Sequence, residues 1–198
     1  MTEKEKGQNG LWYDANFDPE LLQLRNDAER IYCEYNKLPS ADAEKGQALL
    51  KKLLPDMGDG VTVLAPFYTD YGYNITIGDG TYINHGAYLM DCAKITIGKN
   101  CFIGPNCGMY TASHPLLASE RNKGFEIAKP ITIGDNVWFG GNVVVLPGVT
   151  IGHDTVIGAG SVVTKDIPSG VVAVGSPCHV LRQITEADSI RNTPEWQD

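Results

Sequence analysis

The chain has 198 residues, 42% of them hydrophobic, enough for a continuous core in one domain with an attached segment. A formal net charge of −8 argues against nucleic acid or an anionic membrane surface as the main partner. Five cysteines without any C-x-x-C spacing read as free thiols of a reducing compartment, not as a disulfide frame or a zinc knuckle.

The opening MTEKEKGQNG is charged and lacks the apolar core of a signal peptide, and no apolar run is long enough to span a bilayer. The expectation is a cytoplasmic protein. Residues 1–60 read as a helical cap segment. Asp18 and Pro19 are an N-cap and first helical residue, followed by Leu21, Leu24, Ala28, Ile31 and Tyr35 at helical spacing up to Asn36. A second helix is expected from Ala41 to Leu54, ended by Pro55 and Gly58.

From residue 61 the pattern changes. An aliphatic residue, usually followed by a small one, recurs every sixth position in Ile133-Gly134, Phe139-Gly140, Val145-Leu146, Ile151-Gly152, Ile157-Gly158 and Val163-Thr164. An earlier run passes through Tyr71, Ile77, Ile83 and Leu89, slips by two residues, and continues through Ile97, Ile103 and Met109. Six is not a helical period. It is a multiple of two, so the same side chain keeps to one face of an extended chain, and such hexapeptides stack into a parallel β-helix. These positions amount to roughly four turns or slightly more. A solenoid leaves its end faces open, which is the physical reason for a cap. The expected domain is 61–184, with an excursion loop at 111–130 (TASHPLLASERNKGFEIAKP) where the period fails, and a polar tail at 185–198.

The excursion holds the most promising chemistry. His114 follows the resumption of a polar stretch and precedes a proline; histidine is the usual general base for a hydroxyl. Read alone, it is equally well an exposed loop histidine. Glu126 closes the same loop and is a candidate to orient or polarise His114, as a carboxylate does for a base, or is merely solvated. Asn84 and Asp91 follow coil corners, where they either meet a hydroxylated acceptor or simply form the corner. Gly140-Gly141 and Ala159-Gly160 bare the backbone for a ligand, and Trp138 either covers that ligand or fills the core. A local cationic patch is expected from Lys165, His179, Arg182 and Arg191.

These motifs together resemble the maltose and galactoside O-acetyltransferases, members of the hexapeptide-repeat acyltransferases. The resemblance rests on TEKEK, Asp70–Gly78 (DYGYNITIG), TASHP, Lys129–Gly141 (KPITIGDNVWFGG), LPGVTIG and GAGSVVTKDIPSGVVAVGSPC, and covers nearly the whole chain. It implies a left-handed β-helix, a homotrimer with active sites between subunits, and acetyl transfer from acetyl-CoA to a sugar hydroxyl without a required metal. By position it makes His114 the catalytic base with Asn84 beside the acceptor. It places Asp14, Arg25, Asp70 and Asp91 at or near acceptor contacts. Trp138, Gly141, Ala159, Thr164, Lys165 and Arg182 match the CoA-contacting surface, with His179 standing where the galactoside enzymes carry an arginine. The acceptor's identity is what the departures at His85-Gly86 and Met90-Asp91-Cys92 put in question. Other readings are an acceptor that is not a sugar, a zinc carbonic-anhydrase-like trimer, for which no two histidines lie close in sequence, and a non-enzymatic scaffold.

Overall fold

The structure is a computed structural model that describes residues 1–39 and 41–196. From Asp56 onward the chain winds as a parallel β-helix with three flat faces. The first face stacks Asp56–Met57, Ile75–Ile77, Ile95–Ile97, Ile131–Ile133 and Thr150–Ile151. The second stacks Thr62–Val63, Tyr82–Ile83, Phe102–Ile103, Trp138–Phe139, Val156–Ile157 and Val171–Val174. The third stacks Phe67–Thr69, Ala87–Met90, Gly108–Tyr110, Val144–Val145 and Val162–Val163. The expected fold class, a left-handed parallel β-helix with an N-terminal helical cap, is the observed one.

The six-residue period is a record of burial. Ile77, Ile83, Leu89, Ile97, Ile103, Met109, Ile133, Phe139, Val145, Ile151, Ile157 and Val163 all lie in the core. On the first face Ile75, Ile95 and Ile131 stack in register inside, while Thr76, Thr96, Thr132 and Thr150 form a ladder outside. Such β-branched ladders suit a pleated surface buried on one side. The corners need a left-handed backbone, supplied by Asn100, Asn106, Asn136, Asn142 and Asp154 at φ between 53° and 58°. One more turn exists than the period announces. It begins at Asp56, ahead of residue 61, and escapes the aliphatic pattern because its third inward position is Thr69.

The cap has three helices: α1 (Glu3–Gln8), α2 (Pro19–Asn36) and α3 (Ala43–Leu53). Helix α2 has the expected limits, and the Asp18 carboxylate accepts from the Leu21 N–H as its N-cap. Helix α3 is slightly shorter than expected, and α1 has no counterpart among the expected helices; a Thr2–Glu5 capping box starts it. Leu50, Leu53, Leu54 and Tyr35 seal the open end of the main core. The Asn36 amide both donates to and accepts from the Phe67 backbone at 2.9 Å, standing in for a missing strand. Gly72 allows the closest approach: a Cβ there would lie 2.2 Å from the Leu53 carbonyl oxygen. At the far end His179–Gln183 turns back antiparallel on Val171–Val174, and the tail makes two short 3-10 turns, Glu186–Asp188 and Ile190–Asn192. Among the described residues no helix is long and apolar enough to cross a membrane.

Candidate active site

The excursion is a built element, not an open loop. Ala112–Ser113 pairs antiparallel with Phe125–Ala128, which pairs antiparallel with the cap strand Tyr13–Asp14. A helical turn, Ala118–Arg121, joins the two excursion strands. The Arg121 guanidinium holds this turn against the segment after the first strand by donating to the Pro115 and Leu116 carbonyls at 3.0 and 3.1 Å. The cap therefore holds the excursion from one side while the coil corner holds it from the other.

His114 stands at the end of the first excursion strand. Its Nδ1 lies 3.0 Å from the Phe125 carbonyl oxygen. A carbonyl only accepts, so Nδ1 carries the proton and Nε2 keeps its lone pair. Glu126 faces that lone pair, with Oε2 3.9 Å from Nε2. The imidazole is about half exposed (45%) whereas the carboxylate is nearly covered (9%). The expected orientation of His114 by Glu126 is thus corrected: the backbone of Phe125 orients the ring, and Glu126 approaches the opposite nitrogen. The other carboxylate oxygen of Glu126 accepts from the Tyr13 hydroxyl.

Behind this pair lies a small second core of Tyr13, Ala15, Leu21, Tyr71, Cys92 and Ala128. Burial pushes the Cys92 thiol up, reinforced by the charges of Glu126 and Asp70. Its Sγ lies 3.6 Å from Asp70 Oδ2, while Asp70 Oδ1 accepts from the Tyr88 hydroxyl at 2.5 Å. Burial also pushes the Tyr88 phenol up, and the Asp70 carboxylate adds to it, so the phenol is a donor only.

Of the other acceptor-side candidates, Asp14 sits in the cap strand opposite Phe125, and its Oδ1 accepts from the N–H groups of Asn16 and Phe17. Arg25 spans the Ala15 carbonyl at 2.5 Å and the Tyr71 hydroxyl at 3.0 Å, a clamp between cap and coil. Asp91 takes the corner-forming role of its two expected ones. It is fully buried and accepts from the Thr69 hydroxyl and the N–H groups of Asp70, Tyr71 and Asn74. Three of those donors fall on Oδ1 and one on Oδ2, and with the carboxylate fully buried Asp91 organises the corner, out of reach of an acceptor within this chain.

Trp138 is 54% exposed on the second face, between Phe102 and Val156, which answers the core-or-ligand alternative in favour of the surface. Gly141 and Ala159 lie on the corner between the second and third faces, where an added Cβ at Gly141 would touch only Pro105 and one at Gly160 would touch nothing within 4 Å. Thr164 and Lys165 are exposed just past the last strand of the third face. His179 and Arg182 are exposed on the closing strand. Arg182 is not a free cation here, since Asp188 grips it through two bonds at 2.8 and 2.6 Å. Among the described residues no three His, Cys, Asp or Glu side chains come close enough to hold a metal ion.

One chain does not bring all these residues together. Asp70, Asp91, the excursion with His114 and Glu126, Thr164 and Lys165 follow the third-face strands, at the corner leading to the first face. Asn84, Gly141 and Ala159 follow second-face strands, at the next corner, where Asn84, Gly104, Gly140 and Gly158 hand backbone hydrogen bonds up the coil. The Asn84 side chain accepts from the His85 N–H at 2.8 Å. Sequence reading missed Tyr13 and the Phe125 carbonyl. The one signal was alternation, since Tyr13 and Ala15 are buried on either side of Asp14.

Three stretches match family models: a maltose acetyltransferase hexapeptide capping motif over residues 6–58, a bacterial transferase hexapeptide model of six repeats over 130–165, and a hexapeptide repeat of succinyl-transferase over 94–112. A Saccharomyces cerevisiae protein named "Putative acetyltransferase YJL218W" is 52% identical over 91% of this chain and 92% of its own. A crystal structure of a maltose O-acetyltransferase from Clostridium difficile 630 superposes with a TM-score of 0.91 at 45% identity, covering 94% of this chain and 99% of that one. A galactoside acetyltransferase in complex with coenzyme A superposes with a TM-score of 0.92 at 38% identity, covering 100% and 97%.

Proposed function

The chain belongs to the hexapeptide-repeat acetyltransferases carrying the maltose-acetyltransferase capping motif, and on that premise we propose that it moves the acetyl group of acetyl-CoA to a sugar hydroxyl with His114 as general base. The acceptor class is a maltose-, glucose- or galactoside-like sugar, in keeping with the enzymes it resembles. The carrying observation is the bond from His114 Nδ1 to the Phe125 carbonyl, which leaves an exposed imidazole with its Nε2 lone pair available.

The residues present suit a CoA ligand. The Gly141–Ala159–Gly160 corner is bare of bulky side chains, so amide groups of an extended ligand can approach the backbone. Trp138 offers an exposed aromatic face beside it, and Thr164, Lys165, His179 and Arg182 add polar and cationic groups toward the end of the coil. Bound acetyl-CoA supplies the activated acetyl group as a thioester.

Within the chain, His114 Nε2 takes the acceptor hydroxyl's proton as the oxygen attacks. The Glu126 carboxylate then faces the newly charged imidazolium at 3.9 Å and stabilises it. The Gly140 and Asn142 N–H groups are committed to the Ile157 and Pro105 carbonyls. That leaves the Gly141 N–H as this corner's donor to the developing oxyanion, which then collapses with cleavage of the thioester C–S bond while the His114 imidazolium returns its proton to the departing CoA thiolate. Asn84 and Asp14 contact the acceptor, and Asp70 and Arg25 shape its cleft.

The placement of His114 and Asn84 at different corners of one coil supports a working site between neighbouring copies, in keeping with a cytoplasmic homotrimer as the proposed assembly. The cap is residues 1–55, the catalytic solenoid 56–184 and the tail 185–198, the solenoid starting earlier than the expected residue 61 because Asp56–Met57 already belongs to its first face. The test is to incubate purified protein with acetyl-CoA and a panel of sugars and weigh the products. A sugar heavier by one acetyl group supports the reading. Acetyl transfer only to an acceptor outside the sugars would replace the acceptor class, and no transfer to any hydroxyl would refute the function.

A further inference from the structure

We infer that Tyr13, in the cap strand, is a positioning residue for acetyl transfer that acts on His114 through the Glu126 carboxylate. This rests on the acetyl-transfer reading above. Tyr13 and Glu126 are direct partners in the antiparallel pair between cap and excursion. The Tyr13 hydroxyl donates to Glu126 Oε1, and Glu126 Oε2 is the oxygen that faces His114 Nε2 at 3.9 Å. A glutamate's terminal torsion is soft and broad. Holding one oxygen removes that freedom and fixes where the other sits.

The phenol is built for this task. Tyr13 is buried, and its ring packs on α1 at Gly7, where an added Cβ would lie 3.2 Å from the ring. Burial, with Cys92 and Glu126 close by, pushes the phenol up, so it remains a donor. Glu126 in turn is a covered carboxylate that needs a donor, because a buried charge without one is costly. The groups around Glu126 are Tyr13 from the cap, His114 from the excursion and Cys92 from the coil.

The cap thus divides its labour. Ala28 and Tyr35 of α2, Leu50 and Leu53 of α3 and the adjoining Leu54 join the main core and seal the solenoid. Tyr13, Ala15 and, from the first turn of α2, Leu21 belong to the separate small core under the excursion. Sealing an end requires only the former. The pairing of Tyr13 with Glu126 serves the histidine.

The experiment compares Tyr13→Phe, Glu126→Gln and the double variant of the full chain, reading kcat, both KM values and the thermal midpoint. Tyr13→Phe is expected to lower kcat about 10- to 100-fold, the scale of a hydrogen bond to a charged group, with both KM values held. The double variant is expected to be no slower than Glu126→Gln, since Tyr13 acts through that carboxylate. Wild-type kcat in folded Tyr13→Phe, or losses that multiply in the double variant, would overturn the inference. If Tyr13→Phe does not fold, 4-fluorophenylalanine at position 13 fills the hydroxyl's space without donating, and 4-aminophenylalanine restores a donor. The first is expected to be slow and the second to recover; equal rates would overturn the inference. An inactive wild type would overturn the acetyl-transfer reading and this inference together, whereas an active wild type with an unaffected Tyr13→Phe overturns the inference alone.

Discussion

The Nδ1–H of His114 donates to the backbone carbonyl of Phe125 at 3.0 Å, so the ring is oriented by main chain and not by an acidic side chain. Phe125 also opens the strand that pairs with Tyr13–Asp14. The tautomer of His114 is therefore set by the same hairpin that docks the cap. A carboxylate on the Nε2 side cannot act as the orienting member of a Ser-His-Asp arrangement, where the acid sits on Nδ1. In the proposed reaction its effect falls on the charged ring that would form after proton transfer.

Cys92 is the nearest nucleophilic alternative, and the structure argues against it. The thiol is buried, and its pKa is raised by burial and by the carboxylates of Glu126 and Asp70. A raised thiol pKa means that the neutral thiol persists as pH climbs, and the thiolate is the nucleophile. Cys92→Ala is expected to keep the wild-type kcat, and native Cys92 should resist iodoacetamide at pH values where partly exposed Cys33 is alkylated. Mass mapping of alkylated peptides checks this; an acetylated Cys92 trapped with acetyl-CoA would contradict it.

Asp91 has a structural consequence. Asp91→Ala strands the donors of Thr69, Tyr71 and Asn74 inside the corner. The expected loss of stability is about 3 kcal/mol or more, read from the denaturant midpoint, because orphaned buried donors keep their full desolvation penalty. A variant as stable as wild type but with a raised acceptor KM would return Asp91 to the acceptor site.

Which of these features the sequence shows depends on whether they leave a period. Ile77, Phe139 and Val163 repeat because each turn buries the same position, and Asp18-Pro19 marks the start of α2 by local chemistry alone. The turn at Asp56–Thr69 hid because Thr69 is polar yet buried. For Asp91 the sequence leaves acceptor contact and corner forming open, since only the surrounding backbone N–H groups disclose that it faces inward. The Tyr13–Glu126 contact joins segments far apart in sequence, neither of which repeats, and no local rule predicts such a pairing. His114 was legible as a candidate from TASHP, but its orienting partner is a carbonyl, which has no residue signature.

Trp138 is half exposed in the chain, so its removal should touch binding more than folding. Trp138→Ala is expected to raise the KM for acetyl-CoA about 5- to 30-fold, equivalent to ~1–2 kcal/mol of lost apolar contact, with kcat and thermal midpoint nearly unchanged. Steady-state kinetics at saturating acceptor measures it.

The separation of His114 and Asn84 onto different corners predicts complementation. His114→Ala and Asn84→Ala are each expected to be nearly inactive. Unfolding the two together and refolding the mixture should recover activity, because some sites then combine an intact His114 with an intact Asn84 from a neighbour. A mixture as inactive as its components would place both residues in a site within one chain.

The most direct measurement follows thiol release from acetyl-CoA with the best sugar acceptor, wild type beside His114→Ala, with acetyl-CoA binding measured separately by calorimetry. Loss of the base should lower kcat by about 10²- to 10⁴-fold while acetyl-CoA binds as before. A His114→Ala enzyme that turns over at the wild-type rate would contradict the assignment of the base.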